Sequence, residues 1–337
     1  MRCDNPVYIA SAATWLPDLV PLGKAVEEGL VDAAHQDLGY TSIAVAEGIV
    51  GPDMAIQAAD RALKHSAVAP EDVGLVLHSS CWFQGLDMWT PASYIASRTV
   101  GPYAVPFDLG QKCNGGMGAL HLATAYVSGG FAEAALLTTG DCFAPPMLDR
   151  WNMQLNMIIG DAGTALVVSR RAGFARILAT AVGADSSLEP WFRGDAPFRS
   201  MPGQENPVRV IERGARHAVT PEAVGSWERY EAGLLRTAQQ ALTDAGLTRD
   251  DISRVIVPFM HRGQGQAENY DVLGFPEERS LWEFGRRVGH LGAGDQFAGL
   301  DYLCRTDAVT PGEAVLLVGS GPGFTFASAV VEIVDTP

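Results

Sequence analysis

One cysteine of this 337-residue chain stands where a nucleophile would be useful. Cys113 lies in FDLGQKCNGGMGALHLA (residues 107–123), between a strand-like end and a helix of small residues. A thiol at a helix N-terminus meets the positive end of the helix dipole and free backbone N–H groups, and both favour the reactive thiolate. The glycines behind it let a substrate approach closely. The alternative is that Cys113 is a small buried residue and the glycines only allow a helix to pack tightly on a sheet.

A second segment, GHLGAGDQ (residues 289–296), carries the groups that such a thiol needs. An imidazole at His290 can act as a general base, and a carboxylate at Asp295 can orient the ring, as in Cys/Ser-His-acid systems. The alternatives are a loop hydrogen bond for His290 and simple helix capping for Asp295. We predict that the thiol, the imidazole and the carboxylate converge in one shared cleft.

An internal repeat explains why segments so far apart in sequence should meet. Two pairs of segments match: ALKHSAVAPEDVGLVLHS with ALTDAGLTRDDISRVIVP, and GGFAEAALLTTGD with VTPGEAVLLVGSG. Both pairs share an offset of roughly 180 residues, which is too long for a solenoid repeat and fits a duplicated domain. The same offset carries Cys113 onto Ala293, inside the segment that holds His290. The two corners are therefore predicted to be symmetry mates.

Each half of the repeat alternates short apolar runs with amphipathic segments. Runs such as VGLVLHS, AALLTTG, TALVVSR, RVIVPF and AVLLVGS are typical of strands buried on both faces, in a sheet covered by helices. Apolar spacing predicts helices in DMAIQAADRALKHS and YEAGLLRTAQQALTDAG. The sequence thus predicts an α/β protein of two related halves, residues 1–172 and 173–337. A loop-rich insertion at about residues 184–225 is either a surface excursion or a cap over a pocket.

Composition argues against several classes of function. With 24 basic and 39 acidic residues the net charge is −15, which disfavours nucleic acid or an anionic membrane as a general partner. No apolar run approaches a membrane span and the first residues lack the layout of a signal peptide, so we expect a cytoplasmic protein. The five cysteines stand singly, without the spacing of a zinc site, so we expect free thiols and no bound metal.

The segments together resemble the thiolase-fold condensing enzymes of the ketoacyl-ACP synthase III group. FDLGQKCNGGMGALHLA is similar to that family's nucleophile segment, IIGDAGTALVVSR to its GD-x-A-G-A strand, and GSGPGFTFASAVV to its C-terminal glycine-rich turn. The resemblance spans nearly the whole chain and is weakest in roughly residues 15–50 and 184–225. It implies a thiolase-like fold with a layered α/β/α/β/α core, a homodimer, a carrier-protein or coenzyme A thioester as acyl donor, and no permanently bound cofactor.

Departures from the family pattern change the expected chemistry. The decarboxylating members use Cys, His and Asn, but here His290 replaces the asparagine and Phe259 takes the histidine position of RVIVPFMHRGQG. His261 would share that strand face if the strand continues, and it is the possible second histidine. In the family, backbone N–H groups of the cysteine and a late glycine bind the thioester oxygen. Pro322 falls where that glycine is expected and has no N–H, so either Gly321 or Gly323 serves in a shifted turn or the oxyanion hole is weaker. We take the amides of Cys113 and Gly321 as the candidates.

The sequence gives weaker indications of how the acyl donor binds. The segment DLGYTSIAVAEG lacks the Trp and Arg with which the family grips coenzyme A, which weakens coenzyme A as the donor. An acidic carrier protein would need basic residues at the entrance of the substrate tunnel, and the candidates are Arg279, Arg286 and Arg287. The alternative for each of them is a position on a solvated helix face. Aromatic residues after a core strand would shorten an acyl pocket or lie at a dimer interface, namely Trp82, Phe83 and Trp89.

Three hypotheses for function follow. The first is an acyltransferase of secondary metabolism, such as polyketide or antibiotic biosynthesis, that passes an acyl group from Cys113 to a hydroxyl of a sugar or polyketide. The second is a 3-oxoacyl-ACP synthase III that condenses a starter unit with loss of carbon dioxide in polyketide or fatty acid biosynthesis, with His261 in place of the usual histidine. The third is a non-catalytic thiolase-fold partner that stabilises an active homologue, against which the retained Cys113 argues.

Overall fold

The structure is a computed structural model that describes residues 1–3, 5–201, 203, 205–261 and 269–335. Among these residues the strands are β1 (Tyr8–Trp15), β2 (Leu19–Pro21), β3 (Ser42–Ala44), β4 (Val73–Ser79), β5 (Val105–Leu109), β6 (Ala134–Asp141), β7 (Ala162–Ser169), β8 (Ala175–Ala184), β9 (Ile252–Ile256), β10 (Ala314–Gly321) and β11 (Thr325–Ile333). The helices are α1 (Leu22–Glu27), α2 (Ala33–Gln36), α3 (Gly51–His65), α4 (Pro91–Thr99), α5 (Gly115–Ser128), α6 (Pro190–Arg193), α7 (Val210–Ala218), α8 (Ser226–Ala245), α9 (Asn269–Val272), α10 (Trp282–Val288) and α11 (Asp295–Arg305).

The large sheet repeats one strand order on its two sides. In the described part of the chain it has nine strands in the order β5-β4-β6-β7-β1-β8-β11-β10-β9. Read outward from the centre, the first half runs β1-β7-β6-β4-β5 and the second runs β8-β11-β10-β9, so equivalent strands occupy mirrored places. The halves join where Tyr8 pairs with Arg176 and Ile9 with Ala175. The duplicated α/β fold predicted from the repeat is confirmed.

Helices separate and cover the two halves in layers. α5 and α11 contact strands of both halves and so lie between them, while α3 and α4 cover the outside of the first half and α8 covers the second. The largest apolar cluster lies in the central layer, where Leu120 of α5 and Phe297 of α11 meet Leu137 of β6 and Val331 of β11. This is the predicted α/β/α/β/α order. No helix among the described residues is long and apolar enough to cross a membrane.

The insertion between β8 and α8 packs on the second half. Its short helix α6 places Trp191 and Phe192 against Phe324, with ring centroids 5.4 and 5.8 Å from that ring. Phe324 follows the glycine-rich turn at the end of β10, so α6 lies beside that turn. α7 belongs to the same insertion and contacts α6.

One predicted strand ends earlier than the apolar pattern suggested. The sequence RVIVPF predicted extended structure through Phe259, but β9 ends at Ile256. Pro258 has no N–H to give to a neighbouring strand, and the N–H of Phe259 is held by the carboxylate of Asp295 at 2.7 Å. The strand therefore does not continue to His261, and the condition under which His261 would share a strand face with Phe259 is not met.

Candidate active site

The thiol corner has the predicted form. β5 leads into a 3-10 turn over Lys112–Asn114, and α5 begins at the next residue. Cys113 therefore sits at the N-terminal end of a 14-residue helix, partly buried. The positive end of the helix dipole and the free N–H groups of the first turn lie at this end of the helix, where they favour negative charge.

The histidine corner is built in the same way and touches the first. A 3-10 turn over Gly292–Gly294 precedes α11, which is the predicted symmetry relation between Cys113 and Ala293. A Cβ added at Gly116 would overlap the carbonyl oxygen of Ala293, and one at Gly115 would lie 3.5 Å from the Ala293 Cβ. These glycines are thus needed for close packing, as the structural alternative proposed, and that packing brings the histidine turn to the cysteine.

His290 and Asp295 form a buried pair. The Asp295 Oδ2 atom lies 2.6 Å from His290 Nδ1 and also accepts the N–H of Phe259, while Oδ1 accepts the N–H of Leu291 at 2.7 Å. The two side chains are 2% and 1% exposed. Three donors thus fix the carboxylate, and the carboxylate fixes the ring so that Nδ1 holds its proton. The other ring nitrogen, Nε2, is buried as well, and His290 also interacts with the side chain of Cys113.

The charges of this site stabilise one another. A hydrogen bond from Cys81 and the nearby charge of His290 lower the pKa of Cys113 well below that of an ordinary thiol, although burial opposes them. Burial would lower the pKa of His290, but the charges of Asp295 and Cys113 raise it well above the usual value. Both shifts favour a thiolate on Cys113 beside an imidazolium on His290, and the thiolate is the reactive form of a cysteine nucleophile.

Sequence reasoning missed two residues of this site. Cys81 follows β4, and its sulfur lies 3.9 Å from that of Cys113. Asp141 ends β6 and accepts the backbone N–H groups of Cys81 and Trp82 at 2.8–2.9 Å. Burial raises the pKa of Asp141 to about 7. The signal was available in principle, because the carboxyl ends of parallel neighbouring strands lie at one edge of a sheet, and β4 pairs in parallel with β5 and β6.

The remaining sequence candidates lie around the pair. Gly321 ends β10 against the cysteine turn, where a Cβ would lie 2.6 Å from the backbone nitrogen of Asn114. Its oxyanion role, shared with the Cys113 amide, stays a prediction. The ring of His261 lies 6.2 Å from that of Trp282, and its catalytic role is likewise untested. The Phe259 ring packs edge-on against the ring of Phe284, and its equivalence to the histidine of the decarboxylating members stays a prediction.

The residues predicted for substrate delivery have mixed environments. Arg286 donates to the Gly39 carbonyl and Arg279 to the Ile252 carbonyl, so both have local structural partners. Arg287 is exposed at the end of α10, and its role in donor docking stays a prediction. The aromatic candidates divide as well: Trp82 packs with the cluster around Phe143 and Met157, Phe83 is 51% exposed, and the ring of Trp89 contacts Tyr94. No cluster of metal-ligating side chains occurs in the part of the chain that the structure describes.

Comparison with known proteins agrees with this geometry. Residues 107–186 match the 3-oxoacyl-[acyl-carrier-protein (ACP)] synthase III family, and residues 242–333 match the C-terminal part of the same family. A solved structure of ChlB3, an acyltransferase, is 35% identical, with 98% of each chain covered and a TM-score of 0.92. The chain belongs to the 3-oxoacyl-ACP synthase III family.

Other members of the synthase III family are more distant. The β-ketoacyl-[acyl-carrier-protein] synthase III of Rhizorhabdus wittichii is 28% identical over 289 residues, which cover 85% of each chain. The priming β-ketosynthase of the R1128 polyketide pathway has a TM-score of 0.76, with 98% of this chain and 97% of that chain covered, and at 21% identity it shows the shared fold. The family assignment makes acyl transfer or condensation the general chemistry of this chain, and both begin with an acyl group on an active-site cysteine.

Proposed function

We propose that this synthase III-like protein is an acyltransferase that forms an ester through a cysteine acyl-enzyme. The observation that carries the proposal is the buried His290–Asp295 pair at the asparagine position of the decarboxylating members, next to the thiol of Cys113. Decarboxylative condensation needs two hydrogen-bond donors for the enolate oxygen. Here Phe259 supplies an apolar ring at one of those positions, while His290 is equipped as a general base.

The first half-reaction is acylation. The Cys113 thiolate attacks the carbonyl carbon of an acyl thioester, and the oxyanion is held by the backbone N–H groups of Cys113 and Gly321. The carbon–sulfur bond of the donor breaks, and the departing thiolate takes a proton from the His290 imidazolium. The donor is a carrier-protein or coenzyme A thioester, so no resident cofactor takes part.

The second half-reaction is transfer. His290 is now neutral, and its Nε2 accepts the proton of an acceptor hydroxyl while the oxygen attacks the Cys113 thioester. Asp295 stabilises the imidazolium that forms and keeps the ring in the correct tautomer. The thiolate leaves and the ester departs, which restores the resting ion pair. The similarity to an acyltransferase at 35% identity supports this assignment over condensation. We place the reaction in cytoplasmic secondary metabolism, on a sugar or polyketide hydroxyl.

Two measurements test the proposal. Intact-mass analysis after incubation with a panel of acyl thioesters should show an adduct on Cys113, absent in Cys113→Ala. Addition of hydroxylated acceptors should then release the adduct as an ester. A Cys113→Ala protein that still transfers the acyl group contradicts the proposal. A His290→Ala variant should form the adduct more slowly, because it lacks the imidazolium that favours the Cys113 thiolate, and it should fail to discharge the adduct to the acceptor.

Condensation is the second candidate function, because the Rhizorhabdus wittichii relative is a β-ketoacyl-ACP synthase III. Incubation with an acyl donor and carboxyl-labelled malonyl carrier protein separates the two reactions. Labelled carbon dioxide and a ketoacyl product would support condensation over ester formation, and His261→Ala would then show whether that histidine takes part.

The protein should act as a homodimer that pairs through β5. This strand is one of the two edges of the large sheet in the described residues, and it exposes Phe107 at 52% and Val105 at 44%, beside Tyr103 at 95%. Unpaired edge strands with exposed apolar side chains favour strand addition by another chain. Light scattering should give the mass of a dimer, and Phe107→Glu should shift the protein to monomer.

A further inference from the structure

The Cys113 thiol has a second thiol directly beside it, held in place from three sides. The two sulfur atoms lie 3.9 Å apart, with Cys81 as the donor. The Cys81 N–H donates to both oxygens of Asp141 at 2.9 Å, and its carbonyl accepts the Lys112 ammonium at 3.0 Å. A Cβ added at Gly292 would lie 3.2 Å from the Cys81 sulfur, so the histidine corner also packs against this thiol.

The surroundings determine which of the two thiols ionises. Cys113 has the helix N-terminus and the His290 imidazolium on its side, and both favour its thiolate. Cys81 has the buried carboxyl of Asp141 beside it, which disfavours a second negative charge. Its hydrogen bond to Cys113, together with burial, raises the pKa of Cys81 well above that of an ordinary thiol. Cys81 therefore keeps its proton while its neighbour is charged.

We propose that Cys81 is a further catalytic residue whose S–H group donates a hydrogen bond to the Cys113 sulfur and stabilises it as a thiolate. The proton stays on Cys81 throughout, so the residue acts neither as a base nor as a nucleophile. Before acylation the bond increases the fraction of reactive thiolate. Under the proposed function it acts again when the sulfur of Cys113 leaves the acyl group, because negative charge returns to the same atom.

The pH dependence of alkylation tests this role without any substrate. Iodoacetamide reacts with the thiolate, and peptide mapping by mass spectrometry separates modification of Cys113 from that of Cys81. In Cys81→Ala the midpoint pH of Cys113 alkylation should rise by about one pH unit. This shift corresponds to a roughly tenfold smaller thiolate fraction at a pH below the midpoint. Cys81→Ser supplies a hydroxyl donor and should restore most of the shift. Cys142→Ala, a partly buried thiol 4.0 Å from an Asp161 oxygen, is the matched control and should leave the midpoint unchanged.

Each outcome decides for or against the proposal. An alkylation midpoint of Cys113 in Cys81→Ala that equals the wild-type midpoint overturns the proposal. A shift in Cys81→Ser or in Cys142→Ala as large as the shift in Cys81→Ala also overturns it. If Cys81→Ala does not fold, Cys81→Val supplies an apolar side chain of greater volume, and its alkylation midpoint is compared with that of Cys81→Ser in the same way. The proposed ester-forming function is tested separately: transfer by Cys113→Ala would refute that function and leave the alkylation result standing, whereas an unmoved midpoint would refute only the role of Cys81.

Discussion

Replacement of Asp295 by asparagine should stop acyl transfer with a smaller effect on acylation. The carboxylate accepts three N–H groups, two at Oδ2 and one at Oδ1. An amide has one acceptor oxygen, so its NH₂ group must face at least one of these donors. Rotation that keeps the Leu291 N–H satisfied directs the NH₂ group at His290 Nδ1. The ring then accepts there and carries its proton on Nε2, which is the wrong tautomer for a general base.

The size of this effect follows from the tautomer. Loss of the correct tautomer in a Ser-His-Asp enzyme lowers turnover about 10⁴-fold, so Asp295→Asn should slow transfer by roughly 10³–10⁴-fold, or about 4–5.5 kcal/mol. Folding stability should also fall, by about 1–3 kcal/mol for one buried N–H left without an acceptor. Rapid-quench measurement of adduct formation and adduct decay separates the two half-reactions, and thermal unfolding confirms that the variant is folded at the assay temperature.

Asp301 provides the matched control. It lies on α11 as Asp295 does, is 4% exposed, and pairs with Arg305 at 3.1 Å. Asp301→Asn should therefore lower stability and leave the rate of adduct decay near that of wild type. Transfer by folded Asp295→Asn within tenfold of wild type would refute the assignment of Asp295 as the residue that sets the histidine tautomer.

Three further predictions concern pH and packing. Acylation removes the Cys113 charge that helps to raise the pKa of His290, so this pKa should be lower in the acyl-enzyme than in the free enzyme. The rate of adduct decay, measured across pH, should therefore rise with pH around that lower pKa. Gly116→Ala should destabilise the protein by about 1–3 kcal/mol in denaturant unfolding and slow both half-reactions, because the new methyl group overlaps the carbonyl of Ala293; an unchanged midpoint would contradict this contact. Burial lowers the pKa of His78 to about 4, so the folded state binds fewer protons than the unfolded state between that value and 6.5, and stability present above pH 6.5 is lost towards pH 4. His78→Asn should therefore gain about 3 kcal/mol relative to wild type between pH 7.5 and pH 4, and a constant difference would refute the neutral buried histidine.

The duplicated fold could be predicted because its cause is visible in one sequence. Matching apolar runs at a constant offset indicate both the duplication and the symmetry relation between Cys113 and Ala293. Buried strands such as β4 and β6 show continuous apolar runs, and their observed bounds lie within a residue of the predicted segments. The helices also match closely: α3 and α8 begin before and end near the predicted runs.

The site was harder to predict where long-range contacts decide it. β9 ends early because the Phe259 N–H bonds to a carboxylate 36 residues away, and no local pattern reports such a partner. Cys81 looks like any lone buried cysteine until β4 and β5 are placed side by side. The pairing of His290 with Asp295 was predictable from their spacing, but the three donors that fix the carboxylate became visible only in the fold.

The contact between the two corners has a consequence for how this enzyme can vary. The nucleophile and the base each lie in a segment that leads through a short turn into a helix of the central layer, so their separation depends on how those two helices pack against one another. Loops at the rim can therefore be remodelled for new donors and acceptors without displacing the reacting atoms. Replacement of Gly115 or Gly116, which contact Ala293 between the two helices, would by contrast separate the thiol from the imidazole even though every catalytic side chain remained present.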